Sequence, residues 1–226
     1  MSLLQAVAEN IWVCAAPHSF VGLHVGTRMT VVKLSTGGVL LHSPIPLSPE
    51  LIKEIKAIGH VEHVVCPNLF HHVYTTATLS VWPHAKLHGP AKLHKKRKDL
   101  DFDAELSDTP DPDWQDDLVP ITITGTLLGE TVLYHPATQT LITADLIENF
   151  TSAPNHWLTR NYLKLNGMIG NITWPPAMRL VYLDRKAARA CVERILALPI
   201  ERIIIAHGEV ITQNAHTALA QGMKWL

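Results

Sequence analysis

The sequence predicts an α+β fold in which two β-rich halves, each followed by helix, build one domain. Short β-branched runs dominate the first third of the chain and return between residues 119 and 147, and amphipathic helical patterns follow each set. Hydrophobic residues make up 47% of the 226 positions and charged residues 17%, which is the balance of a globular chain with a well-buried core. Because no linker or low-complexity segment divides the chain, we expect a single domain over residues 1–226.

The first half contains three predicted strands, a capped helix and a fourth strand. The three strands are expected at residues 10–14, 28–34 and 38–43, the last two joined by a turn of hairpin length. Ser48 is a good N-cap, Pro49 suits the first helical position, and apolar residues recur at helical spacing until Gly59. A buried strand at residues 63–66 then leads to a pair of histidines.

The second half repeats this plan after a polar interruption. Residues 92–117 combine a basic run with an acidic, proline-bearing stretch, and we expect them to form a solvated surface excursion. Strands are then expected at residues 119–125, 130–135 and 140–147, the last two joined by a hairpin loop. Further elements are predicted as a helix from Trp157 to Leu165, a helix capped by Asp184, a buried strand at 201–208 and a C-terminal helix at 214–225.

Charge and cysteine usage exclude several classes of partner. A formal net charge of −1 provides no overall field to attract nucleic acid or a membrane, so either partner would need a local patch. No apolar run approaches the length needed to span a bilayer, and the N-terminus lacks a signal-peptide pattern. Cys14, Cys66 and Cys191 have no C-x-x-C spacing, which argues against a disulfide framework and favours a reducing compartment. We therefore expect a cytoplasmic protein that binds neither nucleic acid nor membrane.

Candidate metal ligands follow three of the predicted strands. His71 and His72 come shortly after one strand, Asp145 ends "TLITAD", and His207 ends "RIIIAH". Loops that leave one edge of layered sheets converge, and rigid strand ends hold polar groups in place. Imidazole is the commonest protein ligand for transition metals, and the chain has 14 histidines. The joint pattern predicts a metal site.

Each of these residues also has an ordinary structural interpretation. Histidine pairs in loops are often polar surface, Asp145 can cap a turn, and His207 precedes a glycine as turn residues do. The combined pattern is less specific than a motif such as H-E-x-x-H. Arg28 and Asn68 are further candidate polar groups of a pocket, with structural roles as the alternative. The chain contains neither the G-x-S-x-G elbow of serine hydrolases nor a glycine-rich nucleotide loop.

The order of these motifs resembles the metallo-β-lactamase superfamily. The segments that carry the resemblance are "GTRMTVVKL", "LLHSP", "PNLFHH", "TLITADLIENF" and "IIIAHGEV", and the likeness is strongest to an uncharacterised branch known as a domain of unknown function. It covers nearly the whole chain. The resemblance implies an αββα sandwich, in which two β-sheets lie between layers of helices.

The superfamily's H-x-H-x-D-H loop is altered in this chain. Its positions fall on Pro67, Leu69, His71 and His72, so both histidines of the first metal site are lost, and residues 125–130 offer no third one. The resemblance places the second site on His71, in the position of the usual aspartate, together with His72, Asp145 and His207. It therefore implies one divalent metal per chain, with zinc as the leading candidate and iron, manganese or nickel as alternatives.

The resemblance implies a mononuclear metal-dependent hydrolase that acts on an ester, thioester or related bond of a small molecule, with Asp145 as ligand or base. Four protein ligands would close a tetrahedral zinc shell, which is typical of structural sites, so a non-catalytic protein with a metal staple or a ligand pocket is the alternative. Redox chemistry at a bound iron ion is a third hypothesis. Glu130 is a candidate second acid or base, and His42 is expected to be structural or to support a ligand. Residues 149–179 are expected to cover the site or to form a homodimer face.

Overall fold

The computed structural model describes residues 2–226, which form two main sheets, two small two-stranded sheets and six α-helices among the described residues. The strands are β1 (Gln5–Ala8), β2 (Ile11–Ala16), β3 (Ser19–Phe20), β4 (Leu23–His24), β5 (Thr27–Lys33), β6 (Val39–His42), β7 (Val61–Val65), β8 (Lys86–Gly89), β9 (Ala104–Glu105), β10 (Val119–Thr122), β11 (Thr131–His135), β12 (Thr140–Ile142), β13 (Glu148–Asn149), β14 (Ile172–Thr173) and β15 (Arg202–Ile204). The helices are α1 (Pro49–Ile58), α2 (Thr75–Val81), α3 (Ala91–Lys96), α4 (Trp157–Leu165), α5 (Arg185–Leu196) and α6 (Ala215–Gly222).

Strand order places the functional loops after parallel strands. The larger sheet has the order β1-β2-β5-β6-β7-β8-β9, and the smaller one has the order β10-β11-β12-β15. Strands β6 to β9 pair in parallel, and so do β12 and β15. Carboxyl ends of parallel strands share one edge of their sheet, and ligand-binding loops are commonly found at such edges. The loops after β7, β12 and β15 carry the predicted ligands.

Alternation of side chains along the strands produces three apolar layers. On β5, Val32 packs in the cluster shared by the two sheets, whereas Val31 packs with Leu51 and Ile55 of α1. On β11, Leu133 lies in the cluster between the sheets, and the neighbouring side chains join the cluster that contains α5 and α6. Helices therefore cover the outer face of each sheet, as the two-residue period of a strand requires. The predicted αββα sandwich is confirmed.

Helix α1 forms at the predicted position because its cap is present. The Ser48 hydroxyl accepts a hydrogen bond from the Leu51 amide at 3.2 Å, Pro49 occupies the first helical position, and Gly59 ends the helix. These contacts satisfy backbone groups that the helix itself leaves free. The caps define where α1 begins and ends between β6 and the parallel strand β7. The position of the loop that follows β7 depends on this connection.

The predicted surface excursion at residues 92–117 is more ordered than its composition indicates. Helix α3 and strand β9 lie in it, and Trp114 is only 2% exposed. Apolar residues at Leu93, Leu100 and Leu106 are buried, and their spacing was masked by the surrounding charges. Helix α2 was not predicted either, because its threonine-rich sequence has weak helix propensity. No helix among residues 2–226 is long and apolar enough to cross a membrane.

Two buried histidines on neighbouring strands of the larger sheet are difficult to protonate. His63 and His88 are at most 1% exposed, and His63 Nδ1 lies 3.0 Å from His88 Nε2. Burial, together with the adjacent His63, lowers the pKa of His88 to about 4. In the unfolded chain an imidazole titrates near pH 6.5, so the unfolded state binds more protons between these two values.

We expect the free energy of unfolding to fall as the pH is lowered from 6.5 toward 4. His88 alone should contribute on the order of 2–3 kcal/mol to this loss, because protonating it in the folded state means charging a buried group. Urea unfolding at several pH values would measure the slope. His88→Asn should flatten it, whereas His84→Asn, at an exposed position, should leave it unchanged. Equal slopes in wild type and His88→Asn would contradict the assignment.

Candidate metal centre

Asp145 forms the centre of the site, with one imidazole on each side. Its Oδ1 lies 3.2 Å from His71 Nε2 and 3.2 Å from His207 Nε2. Candidate ligand atoms of the three residues all lie within 4.8 Å of one another, and all three side chains are largely buried. The structure therefore brings together three of the four predicted ligands, although they are up to 136 positions apart in sequence, from His71 to His207.

In each imidazole, the nitrogen that does not face Asp145 contacts a second polar group, and this contact orients the ring. His207 Nδ1 lies 2.8 Å from the Gly26 carbonyl oxygen, and His71 Nδ1 lies 2.6 Å from the Ser43 hydroxyl. A carbonyl oxygen can only accept, so His207 Nδ1 carries a hydrogen and a neutral His207 would present a lone pair at Nε2. Metal-binding histidines are commonly held in this way. Neither Gly26 nor Ser43 was identified from the sequence, because neither has a metal-ligating side chain.

The second oxygen of Asp145 is held by Asn68. Asn68 Nδ2 donates to Asp145 Oδ2 at 2.8 Å, and Asn68 Oδ1 accepts from the backbone amides of Phe70 and His71. One fully buried amide thus joins the loop after β7 to the loop after β12. The sequence suggested Asn68 as a polar pocket group with a structural role as the alternative, and these contacts are structural.

Glu130 binds the backbone at Asp145. Its carboxylate is 1% exposed and accepts hydrogen bonds from the backbone amides of Ala144 and Asp145. Burial and the nearby charge of Asp145 raise the pKa of Glu130 to about 7. Glu130 is not among the residues that line the adjacent pocket, so its predicted role as a second acid or base has no support from its position. Its contacts instead fix the backbone from which Asp145 projects.

The buried carboxylate of Asp145 needs positive charge beside it, from a protonated imidazole or from a metal ion. Burial opposes ionisation of Asp145, but the two imidazoles outweigh it and hold the pKa of this carboxyl well below its usual range. Burial likewise opposes protonation of His207, yet the hydrogen bond and charge of Asp145 raise the pKa of His207 to about 9. With His207 Nδ1 donating to Gly26, a favourable contact between Nε2 and the carboxylate needs either a second proton or a metal ion.

His72, which the sequence predicted as a fourth ligand, lies outside this cluster. Its Nδ1 lies 2.8 Å from Arg97 Nη1, and a guanidinium only donates, so this nitrogen acts as the acceptor. In neutral His72 the hydrogen is then on Nε2, and neither nitrogen offers a free lone pair. Burial, Lys96 and Arg97 lower the pKa of His72 to about 4. Arg97 lies in the basic run that the sequence assigned to a solvated face, so its contact with His72 was missed.

Other residues named from the sequence have structural positions. Arg28 donates to the backbone carbonyls of Ile205 and Gly208 at 2.6 and 2.7 Å, which fastens the loop that carries His207 to β5. His42, at the end of β6, is 1% exposed, and burial lowers its pKa to about 3. Arg28 therefore acts on the framework of the site, and His42 lies outside the cluster of three ligands.

The cluster lies in a pocket of about 690 Å³ whose walls are mainly apolar. The β3–β4 hairpin forms one wall, and residues of the predicted covering segment, among them Trp174 and Met178, form another. The placement of Tyr162, Trp174 and Met178 in the pocket agrees with a cover over the site. Glu148, on β13, also lines the pocket, and loss of solvation raises its pKa to about 7.

The geometry of the three side chains fits a divalent metal. Two ligand atoms bound to one metal at about 2.0–2.1 Å, at a tetrahedral angle, lie roughly 3.4 Å apart. The two 3.2 Å separations from Asp145 Oδ1 are close to this value. Two imidazole nitrogens and a carboxylate oxygen suit zinc and iron(II). Leu69 and Pro67, which the resemblance aligns with metal-binding histidines, have side chains that cannot bind a second metal.

Comparison with solved structures identifies the fold. A metallo-β-lactamase from Pontibacter korlensis has 14% sequence identity and a TM-score of 0.67, with 98% of each chain covered. A metallo-β-lactamase from Erythrobacter litoralis has 11% identity and a TM-score of 0.66, covering 99% of this chain and 92% of the other. DIM-1 metallo-β-lactamase has 13% identity and a TM-score of 0.66, and the match covers 98% of this chain and 96% of the DIM-1 chain. The chain thus has the metallo-β-lactamase fold.

The family within that fold follows from the sequence. Residues 8–166 match the model of DUF4336, a domain of unknown function, and the chain belongs to this family. No curated protein sequence matches the chain. At identities of 11–14% the solved structures establish the fold alone.

Proposed function

We propose that the protein is a mononuclear metal-dependent hydrolase of small molecules, with His71, Asp145 and His207 as the ligands. The observation that carries this proposal is the pair of 3.2 Å contacts from one buried carboxylate oxygen to two imidazole nitrogens. The reaction is attack of water on an ester, thioester or related acyl compound, which yields a carboxylate and an alcohol or thiol.

Three ligands support catalysis better than four. A closed tetrahedral shell is typical of structural zinc, whereas catalytic zinc has three protein ligands and an open position. The proposed set leaves out His72, whose Nδ1 accepts from Arg97, so a position on the metal would stay open for water or substrate.

The chain's own residues hold and orient the reacting groups. When bound, a divalent metal supplies Lewis acidity toward a carbonyl and lowers the pKa of a water molecule. Gly26 and Ser43 fix the two imidazole rings, Asn68 fixes the carboxylate, and the apolar pocket walls limit access of bulk water to the substrate. Asp145 is thus assigned as a ligand, and a separate role as base is not needed.

A second candidate function follows from the same ligand set. Two histidines and one carboxylate with open positions are also the ligands of non-haem iron(II) oxygenases. Iron at the site would favour redox chemistry, whereas zinc would favour hydrolysis. A cytoplasmic location suits either metal enzyme and agrees with the three free, buried cysteines.

We expect one metal ion per chain after purification without added metal or chelator. Elemental analysis and equilibrium dialysis with zinc or iron(II) would give the identity, stoichiometry and affinity. His207→Gln should lower the affinity at least ten-fold because it removes a ligand, whereas His72→Gln should change it less than three-fold.

Several outcomes would contradict this assignment. Two metals per chain at full occupancy would mean that a ligand set has been missed, and an equal loss in His72→Gln and His207→Gln would restore His72 to the site. Failure to bind zinc, iron(II), manganese or nickel would exclude a metal enzyme. A metal-loaded protein that is inert toward a panel of esters and thioesters would favour a non-catalytic role, and efficient β-lactam hydrolysis would contradict the loss of the first site.

A further inference from the structure

We infer that the pocket accepts an amphiphilic acyl compound, with a long apolar chain against its walls and an anionic group bound by Lys96. This inference rests on the proposed function for the position of the scissile bond. It adds the class of substrate, which the metal ligands themselves do not determine.

The lining of the pocket is suited to an apolar chain. Apolar side chains come from the β3–β4 hairpin, from the loop after β7, from the loop before β11 and from the segment around β14; they include Phe20, Leu23, Phe70, Leu128, Trp174 and Met178. A volume of about 690 Å³ matches that of pockets that bury a drug-sized ligand. Because most of this surface offers no hydrogen-bonding groups, it would favour hydrocarbon over a polar substrate.

Part of the apolar surface is exposed at the pocket mouth. Phe20 is 44% exposed and Val73 is 54% exposed, although both line the pocket. Phe20 contacts Phe70 edge to face, with ring centroids 5.7 Å apart. A group of large apolar side chains at a cavity entrance is more typical of a binding surface than of the ordinary surface of a monomer. A ligand chain that extends across the mouth would cover them.

Lys96 places a positive charge beside this apolar surface. Its Nζ donates to the Leu69 carbonyl at 2.8 Å and lies 5.6 Å from the centroid of the Phe70 ring. It forms no ion pair with a carboxylate in the described part of the chain, and it is the single lysine or arginine among the described residues that line the pocket. An ammonium group has three donor hydrogens, so two are available to an anionic ligand.

Lys96 and the metal centre both contact the loop that follows β7. Leu69, which holds the ammonium group, is two residues from His71, so their backbones are at most about 7 Å apart. Lys96 and the three cluster residues line the same pocket, so a carboxylate on the leaving group of an acyl ester would contact Lys96 while the acyl carbonyl lies at the cluster. The apolar acyl chain would then extend along the hairpin and Trp174.

Binding of matched non-hydrolysable ligands tests the inference without any turnover. By isothermal titration calorimetry with metal-loaded protein, 4-octyloxybenzoate should bind about ten-fold more tightly than neutral 4-octyloxybenzamide. Lys96→Gln should remove this preference, and Lys95→Gln, at the adjacent exposed position, should retain it. Shortening the chain to 4-methoxybenzoate should weaken binding at least about 100-fold, because the apolar contacts are lost.

Turnover then separates this inference from the proposed hydrolase function. 3-Nitro-4-octanoyloxybenzoate and 2-nitrophenyl octanoate differ in a carboxylate on the leaving group, and the first should have the higher kcat/KM in wild type but not in Lys96→Gln. Binding preferences as expected with no hydrolysis of either ester would overturn the hydrolase and leave the ligand class standing. Hydrolysis with equal affinity for the benzoate and the benzamide, or no effect of chain length, would overturn the ligand class.

Discussion

Asp145→Ala is expected to lower metal affinity at least ten-fold and to abolish metal-dependent turnover. The side chain contacts both imidazoles through one oxygen and Asn68 through the other, so its removal takes away a ligand and the charge that balances the cation. Even residues that only support a ligand typically change affinity by 10- to 100-fold. Equilibrium dialysis and ester hydrolysis at saturating metal would measure the two effects.

Two further variants separate the loss of a ligand from loss of the fold. Asp145→Asn preserves the shape of the side chain and removes its charge, and it should show the same loss of metal affinity while circular dichroism shows that the metal-free protein remains folded. Asp116→Ala, at an exposed acidic position, should leave metal affinity and turnover unchanged. Wild-type metal content and turnover in a folded Asp145→Ala protein would exclude Asp145 from the site.

Gly208→Ala is expected to destabilise the protein by about 3 kcal/mol or more and to weaken metal binding as well. Gly208 has φ +88°, which L-residues rarely adopt, and an added Cβ would overlap the backbone carbonyl of Asn149. That carbonyl accepts a hydrogen bond from the Glu209 amide at 2.7 Å, so it cannot move without breaking the contact between the two loops. The adjacent His207 would shift away from Asp145.

Gly37→Ala provides a matched control for backbone strain alone. Gly37 has φ +92°, but an added Cβ would meet no atom within 4 Å. Its cost should be about 1–2 kcal/mol, the ordinary penalty for an L-residue in the left-handed region. Urea unfolding would compare the two variants. Equal losses of stability would show that the loop at Asn149 has room for a side chain and that the overlap is relieved by a small movement.

The sequence by itself determined the class of fold and the general position of the site. The β-branched run of β5 and the capped helix α1 are local patterns, and each was predicted because its cause lies within a few residues. Pro67 and Leu69, which the resemblance aligns with histidines of the H-x-H-x-D-H loop, could also be read directly from the sequence. His71, Asp145 and His207 were named because each follows a strand, a position that the sequence reveals.

Only the tertiary structure decided which polar groups meet and which atoms they present. His71 and His72 are adjacent in sequence, yet one faces Asp145 and the other accepts from Arg97. That difference depends on the turn geometry of one loop and on a helix, α3, whose charges resembled a solvated surface. Gly26 orients His207 through a backbone carbonyl, which carries no side-chain signal at all. Side-chain direction and backbone hydrogen bonding are set by contacts distant in sequence, so composition and spacing could not predict them.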